Sequence, residues 1–175
     1  FCGSGTIPIE AALIAKNRAP GLDRSFAAQK WKNMDSKLWL EAGDEAMDKE
    51  FHGHYDIWGG DIDPAAVELA RHNAELAGVE DCIRFEVADA GKFHRDSEYG
   101  QLVTNPPYGE RLLEKKEAED LYRMFGAALR DLPPKWRVLV LSSHTEFERC
   151  FGKQAGKKRK LYNGMIKCDV FMYGK

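Results

Sequence analysis

No stretch of this 175-residue chain stays apolar for the roughly 20 residues a membrane-spanning helix needs. Nor does the start carry the charged segment and apolar run of a secretory signal, so a cytoplasmic protein is expected. Cysteine is scarce and scattered: Cys2, Cys82, Cys150 and Cys168 form no CxxC pair, which argues against a disulfide frame or zinc site. They read as reduced cytosolic thiols. His52 and His54 stand two apart beside the acidic stretch 41–50, a pattern better suited to a solvated loop than to a metal. No metal is therefore expected. Strong charge of either sign is missing too. With 26 Lys and Arg against 28 Asp and Glu, the net charge of −2 is not the footprint of an autonomous nucleic-acid binder. The glycine pair in Cys2-Gly3-Ser4-Gly5-Thr6 is followed by no GK[ST], which excludes a Walker-type phosphate loop. The third glycine of a dinucleotide fingerprint is also lacking, because Ile9 occupies that place. Repeats and low-complexity segments are absent. What remains, 43% hydrophobic and 31% charged, is an ordinary composition for one domain large enough to bury a core.

The most informative string present is Asn105-Pro106-Pro107-Tyr108, directly after the apolar run Leu102-Val103-Thr104. An amide oxygen, a carbonyl stiffened by two prolines and an aromatic face suit a flat heterocycle bearing an exocyclic NH2. Such an amine is a poor nucleophile because its lone pair is delocalised into the ring. The Asn105 oxygen and the Pro106 carbonyl can accept its two hydrogens and hold the lone pair toward an electrophile. Tyr108 can stack on the base, which must leave its helix or lie in a single strand. Positioning and electrostatics then carry the step. The competing reading is a proline-stiffened turn after a strand, as the second pair, Pro133-Pro134, reads as a plain helix stop.

Along the chain, strands and helices alternate. Ile7 to Asn17 reads as a helix with Pro8 in its first turn, broken by Asn17-Arg18-Ala19-Pro20-Gly21. Residues 36–50 look helical, with Leu38, Leu40, Ala46 and Met47 available to pack. Tyr55 to Gly60 reads as a strand. Asp63 is then an N-cap, Pro64 the first helical residue and Gly78 the stop. Strands are expected at 82–88 and 101–104, and a helix at 117–132 with Leu121, Met124, Phe125, Ala128 and Leu129 inward. A further strand at 138–141 and a short helix at 146–151 follow. Asn163-Gly164 marks a type I′ hairpin between strands 160–162 and 165–173. This alternation predicts an α/β fold with a mostly parallel sheet, finished by an antiparallel hairpin. The glycine turn should follow a buried strand, yet only Phe1 precedes it, so the reading is of a fragment lacking its first strand.

Ligands of open parallel sheets bind beyond the carboxyl ends of the strands. Gly3 and Gly5 allow close backbone approach there, and the helix that follows favours a negative group. Asp61 can take two ribose hydroxyls, Asp89 an adenine amino group, and Ile62 and Phe93 can flank the ring. Each is weak alone, since Asp63 serves as a cap and Asp89 can equally be a turn acceptor. In this order they describe an adenosine-containing cofactor. One cluster departs from the overall balance: Lys153, Lys157, Lys158, Arg159 and Lys160 read equally well as a solvated loop or a phosphate-contacting edge.

Taken in order, Phe1-Cys2-Gly3-Ser4-Gly5-Thr6, Gly60-Asp61-Ile62-Asp63, Ala88-Asp89 and Asn105-Pro106-Pro107-Tyr108-Gly109-Glu110-Arg111-Leu112 resemble class I S-adenosylmethionine-dependent methyltransferases of exocyclic amines. More narrowly, they look like the bacterial 23S ribosomal RNA guanine-N2 methyltransferases, a family whose members often carry the name N6-adenine-specific DNA methylase. Ile9-Glu10-Ala11-Ala12, Asn17-Arg18-Ala19-Pro20-Gly21-Leu22 and Leu161-Tyr162-Asn163-Gly164 look alike as well, so the resemblance covers almost the whole chain. It implies a Rossmann-like seven-stranded sheet with an antiparallel last strand, here without its first. It implies that S-adenosylmethionine is held around Cys2, Gly3, Gly5, Thr6, Asp61, Ile62, Asp89, Ala90 and Asn105. Asn105, Pro106, Pro107 and Tyr108 would hold the target base. Residues 1–175 would form one catalytic domain, with the upstream THUMP RNA-binding domain of the family not included.

The expectation is thus methylation of an exocyclic amine in large-subunit ribosomal RNA, most of all guanine N2. Adenine-N6 methylation of DNA or RNA satisfies the same motif, as does methylation of a protein glutamine amide. A non-catalytic binding module is the alternative of another class.

Overall fold

The computed structural model describes residues 1–109 and 112–174; Glu110 and Arg111 of the motif string lie outside the described residues. Six strands are found among them: β1 (Ile57–Asp61), β2 (Ile83–Val87), β3 (Tyr99–Thr104), β4 (Lys135–Ser142), β5 (Lys157–Asn163) and β6 (Ile166–Tyr173). Five α-helices accompany them: α1 (Thr6–Ala15), α2 (Ser36–Asp48), α3 (Pro64–Leu76), α4 (Leu112–Ala128) and α5 (Phe147–Phe151). β1 pairs with β2 in parallel, and β3 with β4 in parallel. β6 then runs antiparallel between β4 and β5, giving the order β3-β4-β6-β5. The fold is the α/β, Rossmann-like one expected, with the parallel pairs first and the antiparallel hairpin last.

Local chemistry sets the helix limits. The Asp63 side chain accepts the Ala65 N–H at 2.9 Å, Pro64 opens α3, and Gly78 at φ +64° ends it. Asn17, also in the left-handed region, closes α1, and its side chain donates to the Lys49 carbonyl.

Two cores result. Ile9, Ala12, Val67, Ala70, Ala74, Val79, Ile83 and Phe85 pack α1 and α3 onto β1 and β2. Tyr122, Phe125, Val138, Val140, Phe147, Phe151, Phe171 and Tyr173 pack α4 and α5 onto β4 and β6. The Phe1 ring meets Phe125 edge-on at 5.4 Å and packs against the second core.

Three expectations need correction. α4 begins at Leu112, not Glu117, and ends at Ala128. The charged run from Glu114 to Glu117 shows no apolar period, which hid it. Within α4 the fully buried residue is Tyr122, whereas Met124 is exposed. Leu38, Leu40 and Met47 of α2 are exposed rather than packed. Among the described residues no helix is long and apolar enough to cross a membrane. No group of three or more His, Cys, Asp or Glu among them could hold a metal ion.

Candidate active site

The glycine turn is built onto the end of β1. The Phe1 amine and the Cys2 N–H both donate to the Gly60 carbonyl, at 2.8 and 2.9 Å. The Gly5 N–H closes the turn on the Cys2 carbonyl at 2.9 Å. Gly3 and Gly5 sit at φ +51° and +82°, where a side chain is strained. A Cβ on Gly5 would also come within 2.9 Å of the Ala70 Cβ, so α3 can approach this closely only because both residues are small.

Asp61 is joined to this turn across 58 positions. Its carboxylate accepts the Gly3 N–H at 2.9 Å through one oxygen and the Asp63 N–H at 3.2 Å through the other. The Asp61 carbonyl accepts the Ala88 N–H at 2.8 Å, which brings Asp89 to the end of the neighbouring strand. One Asp89 oxygen caps the following turn through the Gly91 N–H at 2.8 Å. The other expected contacts vary in access. Ile62 is exposed, Ala90 is half-buried against the aromatic core, and the Thr6 hydroxyl stands 3.2 Å from that of Ser4. Burial and, next, the Asp61 charge push the Cys2 thiol upward, which favours its protonated form. Phe93, expected to flank the adenine, is engaged by Trp58 and Trp136, with ring centroids 6.0 Å away in each case.

The second half of the site lies beyond β3. Thr104 ends this strand buried, its hydroxyl without a hydrogen-bond partner. Pro106 is fully buried behind the loop. The Tyr122 hydroxyl donates to the Pro107 carbonyl at 2.6 Å and lies 3.4 Å from the Ser142 hydroxyl, so the aromatic core grips the loop backbone. Gly109 at φ +67° turns the chain onto α4; a Cβ there would stand 2.6 Å from the Glu114 carbonyl.

At the front, Tyr108 donates its hydroxyl hydrogen to the Asn105 side-chain oxygen at 2.6 Å. The Asn163 amide, at the β5–β6 turn, donates to the same hydroxyl at 3.3 Å. Burial above all, helped by the neighbouring Cys168 thiol, pushes the Tyr108 phenol up to about 12. It is a hydrogen-bond donor at every ordinary pH. His144 is buried, its ring edge-on to Tyr122, its Nδ1 accepting the Glu146 N–H and its Nε2 3.5 Å from Glu119. Burial lowers its pKa and outweighs the Glu119 charge.

The sequence-predicted residues thus gather at the carboxyl ends of β1, β2 and β3. Tyr122 and Asn163 were not singled out as site residues. Tyr122 is not among the inward residues that the pattern at 117–132 suggests, and Asn163 signals a turn and stands in the string Leu161-Tyr162-Asn163-Gly164.

These residues fit an adenosine-bearing sulfonium amino acid. Beyond Gly3 a Cβ would meet nothing within 4 Å, so the turn is open toward a ligand. The Asp61 carboxylate, with two of its roughly four lone-pair directions filled, retains acceptors for a ribose diol.

A family profile described as "RMKL-like, methyltransferase domain" matches residues 1–171. The chain belongs to this family. YpsC of Bacillus subtilis (strain 168), named as a proposed RNA methyltransferase, is 45% identical over 177 residues, covering 99% of this chain and 45% of its own length. The ribosomal RNA large subunit methyltransferase K/L of Shewanella baltica (strain OS185) is 41% identical over 178 residues, covering 99% of this chain and 25% of its own. The solved structure of SMU.472, complexed with SAH, superposes with a TM-score of 0.94 at 41% identity, over 99% of this chain and 46% of that one. The chain spans about half or less of the length of these relatives.

Proposed function

We propose that this chain is the catalytic domain of a cytoplasmic enzyme that methylates the exocyclic amine of a base in large-subunit ribosomal RNA, guanine N2 being the target. The observation that carries this reading is the Asn105-to-Tyr108 loop, clamped from behind by the 2.6 Å Tyr122–Pro107 bond and standing beyond a parallel strand. The glycine turn and Asp61 stand at the carboxyl end of β1, in the separate parallel pair β1–β2. The relative named for ribosomal RNA and the neighbour that holds SAH support the substrate class and the cofactor. Gly3, Gly5, Asp61 and Asp89 hold S-adenosylmethionine, with Cys2, Thr6, Ile62 and Ala90 lining it. When bound, the cofactor supplies a methyl group on a positive sulfonium.

The chain's own residues supply position. The Asn105 oxygen and the Pro106 carbonyl accept the two amine hydrogens, and Tyr108 faces the ring. Held this way, the amine nitrogen directs its lone pair at the methyl carbon. A cofactor bound there would supply the methyl group and keep the sulfur's bonding pair, and the surplus amine proton would leave to water. In the intact protein, a strand preceding Phe1 and an upstream THUMP-type domain complete the sheet and present the RNA.

The test incubates the intact protein with S-adenosylmethionine and unmodified ribosomal RNA, followed by nucleoside mass spectrometry. N2-methylguanosine is the expected product. N6-methyladenosine would replace the base while keeping the mechanism, and no methylated base would overturn the reading.

A further inference from the structure

The hairpin that carries Asn163 is the most basic part of the molecule. Between Lys153 and Lys167 the sequence has six cations and no acid, leaving 20 bases against 28 acids elsewhere. β5 is the outer strand of its sheet and is exposed along its whole length, so this charge faces solvent rather than the core. Its two faces differ. The register places Lys158 opposite Phe171, on the face that α4 and α5 cover. There Lys158 pairs with Glu148 at 2.8 Å and lies over the Phe171 ring. Lys157 and Arg159 stand opposite Met172 and Val170, on the other face, in one row with Leu161 and Asn163. Neither Lys157 nor Arg159 makes an ion pair among the described residues. The row ends at Asn163, which is bonded to Tyr108 of the motif loop. Each same-face step along a strand spans about 6.8 Å, so Arg159 lies roughly 14 Å and Lys157 roughly 20 Å from that end. Two exposed side chains, Tyr162 and Met165, flank the tip.

We infer that this face of β5 is a track for the phosphates of a single-stranded RNA segment whose target nucleotide enters beside Tyr108. The inference rests on the nucleic-acid reading of the site and adds where the strand runs. Two solvated cations in line, continuous with the motif loop through Asn163, complement a polyanion. The acidic balance elsewhere disfavours binding away from this edge. Lys158, already neutralised by Glu148, takes no part.

The experiment measures binding of a fluorescent single-stranded RNA oligonucleotide to the intact protein by anisotropy, across a salt series. In the Lys157→Ala/Arg159→Ala double variant the slope of log affinity against log salt is expected to fall by about 1.4, at ~0.7 per phosphate contact. Lys158→Ala leaves the slope unchanged, and Lys157→Arg/Arg159→Lys restores it. Thermal melting and cofactor affinity are expected to match the parent in all three. An unaltered slope in the double variant overturns the track. So does an equal drop in Lys158→Ala, which would mean a diffuse field rather than a row. Binding needs no turnover, so a lost slope in a protein that methylates no ribosomal RNA retains the track and rejects the proposed reaction instead.

Discussion

The half of the molecule that carries the glycine turn and the half that carries the Asn105 loop are packed in opposite ways. Around β1 and β2 the core is made largely of small side chains, with Ala12, Ala70 and Ala74 fully buried. Around β4 and β6 it is made of rings: Tyr122, Phe125, Phe147, Phe151, Phe171 and Tyr173. Small residues let α3 close on Gly5 so far that a Cβ added there would stand 2.9 Å from the Ala70 Cβ. Rings instead make a stiff bed, and the one with a hydroxyl, Tyr122, reaches out of it to hold a carbonyl of the loop. On the proposed reading, close approach would serve a cofactor cradle and rigidity the aiming of a base.

This contrast can be broken from either side. The largest effect is expected in the aromatic half, where Phe147→Ala should destabilise the fold by about 3–5 kcal/mol. Ala70→Gly in the other half should lose only about 1 kcal/mol. Denaturant unfolding compares the two, and equal losses would erase the difference. Next comes chemistry: Asn105→Ala should lower the methyl-transfer rate by about 10²–10³, the scale of one lost preorganised polar contact. Cofactor should still bind, as calorimetry would show. Turnover that survives the change would remove Asn105 from its role. Asp61→Ala should do the reverse, weakening cofactor binding at least tenfold, or about 1.4 kcal/mol. An unchanged dissociation constant rejects the assignment.

The smallest effect concerns pH. His144 is buried and its folded pKa lies below the unfolded value of about 6.5, so the unfolded chain binds the proton first as pH falls. Stability should therefore decline as pH drops from about 6.5 toward the folded pKa. Melting curves of His144→Gln should show that slope flattened, and a parallel slope would place the titration elsewhere.

Much of this was legible from local chemistry. Asp63, Pro64 and Gly78 bound α3 where cap, first-turn and stop residues should stand, and Asn163-Gly164 marked the hairpin. Asp61, Asp89 and Asn105 marked the carboxyl ends of strands, because each follows a run of apolar and small residues, and the glycine turn marked itself by composition. What stayed hidden depends on partners distant in sequence. Tyr122 has a polar group and a helical position that fits either face, and only the Pro107 carbonyl, 15 residues away, decides it. Asn163 meets Tyr108 across 55 positions. Leu38 and Leu40 have the composition of packed residues, but in this structure α2 buries none of its residues.

The bond from Tyr108 to Asn105 has a consequence for selectivity. At rest the amide oxygen is not bare: a phenol hydrogen occupies it, as a stand-in for the amine hydrogen to come. Entry is therefore an exchange of one donor for another. A base edge with an amine completes the exchange at little net expense, because the acceptor is bonded before and after. An edge offering only a carbonyl would leave two acceptors face to face, and an unpaired acceptor costs about 1–3 kcal/mol when buried. On the proposed reading, the loop's own tyrosine would make this site a test of whether an incoming group can donate.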